Sequence, residues 1–438
     1  MSTYRFATGV LAALLACGTG PRAYADQGLA EQFNSLFGPE GLILETEQEH
    51  TAHFTSDSQA ILGLLVQQLA PAAADFPAVS TVPGLTFRYN SELQAFERSS
   101  GSLGPVYVER PQTLGRGKLD IGFSYLFQDF DELDGANLDG LFFRLGHADC
   151  CTIGAPFDDP AFGRPDDGLD GFERETADLT FEEFDLESHV LSLYATYGIT
   201  DRWDVNVLVP IMFTSLEVSA RAVLNNREIN PRTGRPTHLF PNGTNVVTRQ
   251  IDDDSTGIGD ILLRTKYHFL SSNGFNLASG LSLRLPTGDE DNFQGLPDDA
   301  VVLTPYVALS QEWSRFDFHF QAGFDINAED TERSRARYGI GLTTRLVERV
   351  AFLIDIIGSS NLTEQDISVT GIPVIEGEDV VGTRTITQGL RTDIVDLAVG
   401  FKAAFAPSVV GFAAVFIPLN DDGLRSDAVP TAGLEVSF

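Results

Sequence analysis

Between Phe316 and Ile326 the chain alternates without a break. Phe316, Phe318, Phe320, Ala322, Phe324 and Ile326 hold the even positions, and Asp317, His319, Gln321, Gly323 and Asp325 hold the odd ones. A period of two places each set on its own face of a β-strand. One face is then wholly apolar and the other polar, so the strand must separate two different solvents. The same pattern recurs. Leu119, Ile121, Phe123, Tyr125 and Phe127 alternate with Asp120, Gly122, Ser124 and Gln128, and Ile261, Leu263, Thr265, Tyr267 and Phe269 with Asp260, Arg264, Lys266 and His268. It returns around Ala336 to Leu346 and Val395 to Phe405.

A soluble β-sandwich also alternates, and three further features separate the two cases. The strands run to about ten residues or more, the reach of a tilted membrane strand rather than the five or six of a globular one. Short turns near 200–202, 271–274, 314–315, 347–349 and 406–408 alternate with long polar loops near 225–253, 287–299, 327–334, 360–392 and 420–428. That asymmetry is the arrangement of transmembrane barrels. Aromatic residues flank the short turns: Tyr197 and Trp203, Phe269 and Phe275, Trp313 and Phe316, Phe405 and Phe412. Interfacial girdles have this composition.

The expected fold is therefore all-β, a transmembrane antiparallel barrel over 116–438. Its strands fall near 117–130, 176–199, 202–224, 254–270, 275–286, 301–313, 315–327, 335–346, 350–359, 393–405, 409–418 and 429–438. The count is about twelve, or fourteen if 84–98 contributes a pair, and Leu141 to Leu145 adds a short hairpin within an acidic loop. The last strand sets Pro430, Ala432, Leu434, Val436 and Phe438 toward lipid and Thr431, Gly433, Glu435 and Ser437 inward, and it must close on the strand beginning near Gly117. Residues 26–115 break the pattern. A short helix capped by Ser56, with Ile61, Leu64, Leu65 and Leu69 on one face, fits there, either as a plug in the lumen or as a periplasmic segment.

Residues 1–25 read as an export signal. Arg5 precedes an apolar run from Phe6 to Ala16, and Ala23-Tyr24-Ala25 is a small-x-small cleavage site. Leu14-Leu15-Ala16-Cys17 offers the alternative of lipoprotein processing at Cys17. Cleavage after Ala25 removes Arg5 and Arg22, leaving 27 of the 29 basic residues against all 62 acidic ones, formally −35. That balance excludes nucleic acid as a partner. No apolar run after the signal is long enough for a transmembrane helix. The adjacent Cys150-Cys151 has no metal-ligand spacing around it and reads as structural.

In a membrane barrel the polar face lines the interior. The inward positions are Asp120, Asp204, Asp260, Glu312, Asp317, Asp325, Asp355, Asp396 and Glu435 among acids, and Arg264, Lys266, Arg284, Arg335, Arg337, Arg345 and Lys402 among bases. Asp260, Arg264, Lys266, His268, Arg284, Glu312, Asp317, His319, Asp325, Arg335, Arg337, Arg345, Asp355, Asp396 and Lys402 are the candidate lumen-lining residues. Near-balanced charges in a narrow barrel are expected to pair across the lumen, so the excess acid lies in loops and in the N-terminal segment. Twelve strands fall between a filled eight-stranded barrel and an open porin. Catalytic signals are weak, with His268 and His319 the only histidines on clear inward strand positions, and no metal-ligand spacing or cofactor motif appears. Loop acids such as Asp158, Asp159, Asp166, Asp167, Asp170, Asp289, Glu290 and Asp291 match no calcium loop.

Gly257-Ile258-Gly259-Asp260, Lys266-Tyr267 and Leu285-Pro286-Thr287-Gly288-Asp289 resemble motifs of the outer-membrane transporter family of the meta-pathway of phenol degradation. Tyr197-Gly198-Ile199-Thr200-Asp201-Arg202-Trp203-Asp204 resembles its YGxTDxxD turn. Gly433 to Phe438 resembles the terminal signal read by the barrel-assembly machinery. The resemblance covers roughly 117–438. It implies the outer membrane of a Gram-negative bacterium, contact with lipid and lipopolysaccharide, and passage of small hydrophobic or aromatic solutes, as in the long-chain fatty acid and aromatic hydrocarbon channels. Two other readings stand beside a passive channel. One is a structural or adhesive barrel with acidic loops; the other is a lipid hydrolase using His189 or His147 near the outer rim.

Overall fold

The computed structural model describes residues 27–45, 54–82, 84, 87–90, 95–98, 103–146, 176–225, 236, 238–376 and 379–438. The export signal with Cys17, Cys150-Cys151, His147 and the acids Asp158 to Asp170 lie outside the described residues.

Twelve strands close into one antiparallel barrel in which each pairs with its neighbours in sequence. They are β1 (Leu119–Phe130), β2 (Thr176–Thr200), β3 (Trp203–Asn225), β4 (Ile261–Ser272), β5 (Phe275–Leu285) and β6 (Val302–Glu312). They continue as β7 (Phe316–Asn327), β8 (Arg335–Val347), β9 (Val350–Asn361), β10 (Asp393–Ala406), β11 (Val409–Pro418) and β12 (Val429–Ser437). The ring shuts where β12 meets β1, with Ser437 opposite Asp120 and Thr431 opposite Leu126. Closure leaves no unpaired strand edge, the condition for a sheet to survive in hydrocarbon. At one end the turns are short; Asn273 and Gly274 both take positive φ (51° and 82°), which lets a two-residue turn join β4 to β5.

Outside and inside are inverted relative to a soluble protein. Ile121, Phe123, Leu263, Val307, Phe324, Ile340 and Phe401 are exposed on the outer face, while Asp120, Asp204, Asp260, Lys266, Asp355, Lys402 and Glu435 are almost wholly buried within the ring. Tyr197, Trp203, Tyr267, Phe269, Trp313, Phe316, Phe405 and Phe438 form an exposed aromatic belt by the short turns. Phe412 departs from the girdle expected of it. It pairs with Lys402, shares that residue's inward face, and is buried near Tyr107 and Phe416.

Four features depart from the expected strand map. The strand expected at 254–270 is broken at Gly259-Asp260, so Val246–Ile258 pairs with the outer half of β3 and β4 with its inner half. The loop expected over 360–392 contains a hairpin, Gln365–Glu376 with Asp379–Leu390. Phe142–Gly146 lies along the outer end of β2 rather than forming a hairpin of its own. Residues 87–90 and 95–98 pair with each other as a separate two-stranded sheet and add nothing to the barrel.

The N-terminal segment begins on the long-loop side. Helix α1 (Leu29–Asn34) sets Phe33 against Phe181 and Phe184, at ring distances of 5.9 and 5.5 Å, on the part of β2 that rises above the barrel. Gln32 also donates to Asp253 at 2.6 Å. Helix α2 (Thr55–Ala74) buries Leu62, Leu65 and Leu69 in the same apolar cluster, with Ile61 and Leu64 only half-buried. Ser56 is not its cap: Phe54 holds that position without a side-chain bond, and Ser58 instead accepts from the Leu42 amide at 3.0 Å. After α2 the described chain, 75–82 and 103–115, bonds to inward strand residues. It leaves at the short-turn end, where the Leu114 amide donates to Asp204 at 2.7 Å and the Arg116 amide to Asp201 at 3.2 Å.

Both tryptophans, Trp203 and Trp313, are 42% and 49% exposed on the belt. In vesicles their fluorescence is expected to be quenched by brominated acyl chains and only weakly by aqueous iodide. Strong iodide quenching with no effect of bromolipid would remove the belt from the bilayer interface.

Candidate functional site

The lumen has two levels. In the lower one, inward side chains bond to the backbone of 103–115. Lys402 Nζ donates to the carbonyls of Leu103 (3.1 Å) and Pro105, and Asp355 Oδ2 accepts from the amides of Val106 (3.2 Å) and Tyr107 (3.1 Å). Tyr107 and Thr431 share a hydroxyl bond of 2.6 Å. Gln112 donates to Ser310 at 3.0 Å and Glu312 at 2.6 Å, and the Glu109 amide donates to Gln321. Lys266 Nζ lies 2.6 Å from both Glu109 Oε1 and the Arg110 carbonyl. An extended segment without a ladder of its own must satisfy its amides and carbonyls somewhere, and here the barrel wall does so.

Above it lies a cavity of about 370 Å³. Arg264, Arg284, Arg335 and Arg337 stand on its wall, with Phe76, Tyr107, Tyr306, Tyr338 and Ile357. Asp75, the residue that ends α2, is the hub of the charges. Arg284 Nη1 lies 3.3 Å from it, Arg335 Nη1 3.2 Å and Arg337 Nη2 3.1 Å. Burial opposes ionisation of Asp75, but the guanidinium groups of Arg337, Arg335 and Arg284 outweigh it and hold the carboxyl well below the usual carboxylate range. Asp260 pairs with Arg284 at 2.9 Å, and Asp325 pairs with Arg337.

Of the candidate lumen residues, Asp260, Lys266, Arg284, Asp325, Asp355 and Lys402 are buried and bonded as above, and Arg264 is buried with Nε 2.9 Å from Asn206 Oδ1 and Nη1 2.7 Å from the Val79 carbonyl. Arg335, Arg337 and Glu312 are half-buried, and Asp317 and His319 are buried low in the ring. His268 is buried with Nε2 3.0 Å from the Leu270 carbonyl. Asp396 takes a different partner from any expected: Arg425, from the loop before β12, at 2.5 Å. Arg345 departs from the lining. It keeps the inward phase but sits in the last turn of β8, exposed at the short-turn rim beside Trp313. Of the charges expected to pair within the lumen, Asp260 meets Arg284 and Asp325 meets Arg337, while Lys266, Lys402, Asp355 and Asp204 take partners in the N-terminal segment. His189, held for a hydrolase, has Nδ1 2.6 Å from the Tyr125 hydroxyl and rings of Phe127 and Phe213 around it.

Asp75, Glu109, Tyr107, Gln112, Asn206, Tyr306 and Arg425 were not among the candidates. Asn206 and Tyr306 could have been found by parity, since they are in phase with Asp204 and Ser310. Asp75 and Glu109 lie where no period exists to give a face.

Lys266 and Glu109 are 1% and 9% exposed at the side chain. Removing one partner strands a buried charge, so Lys266→Met is expected to cost about 3–5 kcal/mol, with much of that recovered in Lys266→Met with Glu109→Gln. Urea unfolding of the single and double variants checks this; an equal loss in both would show that the pairing itself matters little.

No curated protein matches the chain. Among solved structures, an outer-membrane channel from Pseudomonas putida F1 is 12% identical over 75% of this chain and 98% of its own, at TM-score 0.43. The CymD monoaromatic hydrocarbon channel is 11% identical over 74% of this chain and 89% of its own, at TM-score 0.33. The toluene transporter TodX of Pseudomonas putida is 10% identical over 83% of this chain and 97% of its own, also at 0.33. The motifs at the ends of β2, β4 and β5 fall within a longer match. Residues 175–372, which hold strands β2 to β9, match the model of the family described as the MetA-pathway of phenol degradation, so the chain is similar to that family across eight of its twelve barrel strands.

Proposed function

We propose that the chain is an outer-membrane channel of a Gram-negative bacterium that passes small hydrophobic or aromatic molecules without a coupled energy source. The observation that carries this reading is the 370 Å³ cavity inside a barrel whose outer face is apolar. Phe76, Tyr107, Tyr306, Tyr338 and Ile357 give part of its wall a surface suited to a small ring, beside the paired charges of Asp75, Asp260, Asp325 and their arginines. The described residues 103–115 stand in the path below it and are the filter of this reading. The family's description names phenol degradation, which supports an aromatic solute. Outer-membrane lipid and lipopolysaccharide are the surroundings it implies, and Gly433 to Phe438 is the segment offered to the assembly machinery. Residues 1–25 are read as the export signal.

Cells producing the chain are expected to take up radiolabelled toluene faster than matched cells lacking it, at solute concentrations that leave the lipid bilayer intact. Equal initial rates in the two strains, with the chain present in the outer-membrane fraction, would overturn the channel reading.

A further inference from the structure

Asp75 is a carboxylate at the carbonyl end of a helix, where the dipole disfavours negative charge, and the last turn of α2 holds no basic residue to offset it. Its partners come from the barrel instead. Arg284 Nη1, Arg335 Nη1 and Arg337 Nη2 stand 3.3, 3.2 and 3.1 Å away, and Arg284 Nη2 also donates to the Ala74 carbonyl at 2.9 Å. These groups open onto the cavity. Asp75, Arg335 and Arg337 line it and keep 18, 20 and 33% of their side-chain surface accessible.

The wall alone does not balance these arginines. Asp260 takes Arg284, and its oxygens also accept from the amides of Gly288 and Leu296. Asp325 takes Arg337 with one oxygen and the Thr304 hydroxyl, at 2.7 Å, with the other. Two carboxylates of the wall thus face three arginines, and among the described residues Arg335 is ion-paired to Asp75 alone. Asp75 brings the group to three against three. Other arginines of the wall have carboxylates of their own: Arg425 has Asp396, Arg333 has Asp298 and Asp330, and Arg264 is faced by Glu109. A matched interior offers no net charge to replace the water that an ion must shed, whereas a neutral ring sheds little. One unmatched guanidinium, weakly screened, would favour an anion.

We propose that Asp75 sets the charge selectivity of the path: it neutralises an arginine cluster that would otherwise draw in anions, so that neutral rings pass and their carboxylated or aminated counterparts do not. The inference rests on the channel reading and names the residue that selects within its solute class. Asp75 belongs to the N-terminal segment, so the segment supplies a selectivity that the barrel wall lacks.

The test compares uptake of radiolabelled toluene, benzoate and benzylamine, which at neutral pH are neutral, anionic and cationic, by porin-deficient cells with and without the full chain. The natural chain is expected to favour toluene over both ions. Asp75→Asn should raise the ratio of benzoate to toluene uptake several-fold and leave the benzylamine ratio low. Adding Arg335→Gln to Asp75→Asn restores the charge match and should return the benzoate ratio to its starting value, which a merely loosened segment would not do. Arg335→Gln alone should raise the benzylamine ratio, and it carries the test if Asp75→Asn does not reach the outer membrane. Ratios unmoved by either single replacement, or a rise for all solutes together that the double replacement does not reverse, would remove this inference and leave the channel. Toluene uptake no faster than in cells lacking the chain would remove the channel reading and this inference with it.

Discussion

In the core of a bilayer no water is at hand for an unpaired amide or carbonyl, so a strand edge has to find another strand. The ring of twelve meets that demand where β12 and β1 pair from Ser437 to Thr431. Once it is closed, the period of two leaves each strand residue only two places to be, lipid or lumen. Apolar residues take the first. The charged and polar ones are driven into a narrow interior, where each must be bonded or bear the cost of burial. The arrangement of the lumen follows from that second demand.

The N-terminal segment and the barrel wall meet it together. A stretch such as 103–115 has no ladder partner, and a buried Lys402 or Asp355 has no water. Joined, the carbonyls of Leu103 and Pro105 accept from Lys402, and the amides of Val106 and Tyr107 donate to Asp355. Asp75 does the same for three arginines at once. Hydrogen bonds to charged groups are stronger than neutral ones, which helps to hold an irregular segment in a single path. The helices above are held differently, by Phe33 and Leu62 to Leu69 packing on the raised ends of β2 and β3. One end of the segment is therefore fixed by apolar contact and the other by charge.

The two parts of the fold were unequally legible for the same reason. From Leu119 onward a fixed period gives both element and face, so strand limits fall within a residue or two, as at 409–418. Inward residues such as Asp260 and Lys266 can be named from parity alone. Parity fails where a second local rule intervenes. Phe412 was assigned by its nearness to a turn and not by its phase with Lys402. Arg345 has the correct phase, but the strand ends before its guanidinium is enclosed. The break at Gly259-Asp260 arises where the Asp260 carboxylate takes Arg284 and the amides of Gly288 and Leu296, contacts that no local period encodes. Asp75 and Glu109 were hidden altogether, because their partners are two hundred or more residues away for Asp75 and 157 away for Glu109, and nothing local encodes the contact.

Charge is distributed along the same division. The whole chain carries 62 acids against 29 bases, yet the cavity wall and the network around Asp75 are close to balance. Among the described residues, the carboxylates of Glu183, Asp185 and Glu217 come within 4.8 Å of one another on the exposed outer ends of β2 and β3. In water such acids are screened within about 10 Å at ordinary salt, so they set the field at the mouth and little beyond it. Inside, screening is weak and pairing decides. Asp75 matters in that setting because one carboxylate shared by three arginines in a dry interior outweighs many acids at the rim in deciding how the segment is held.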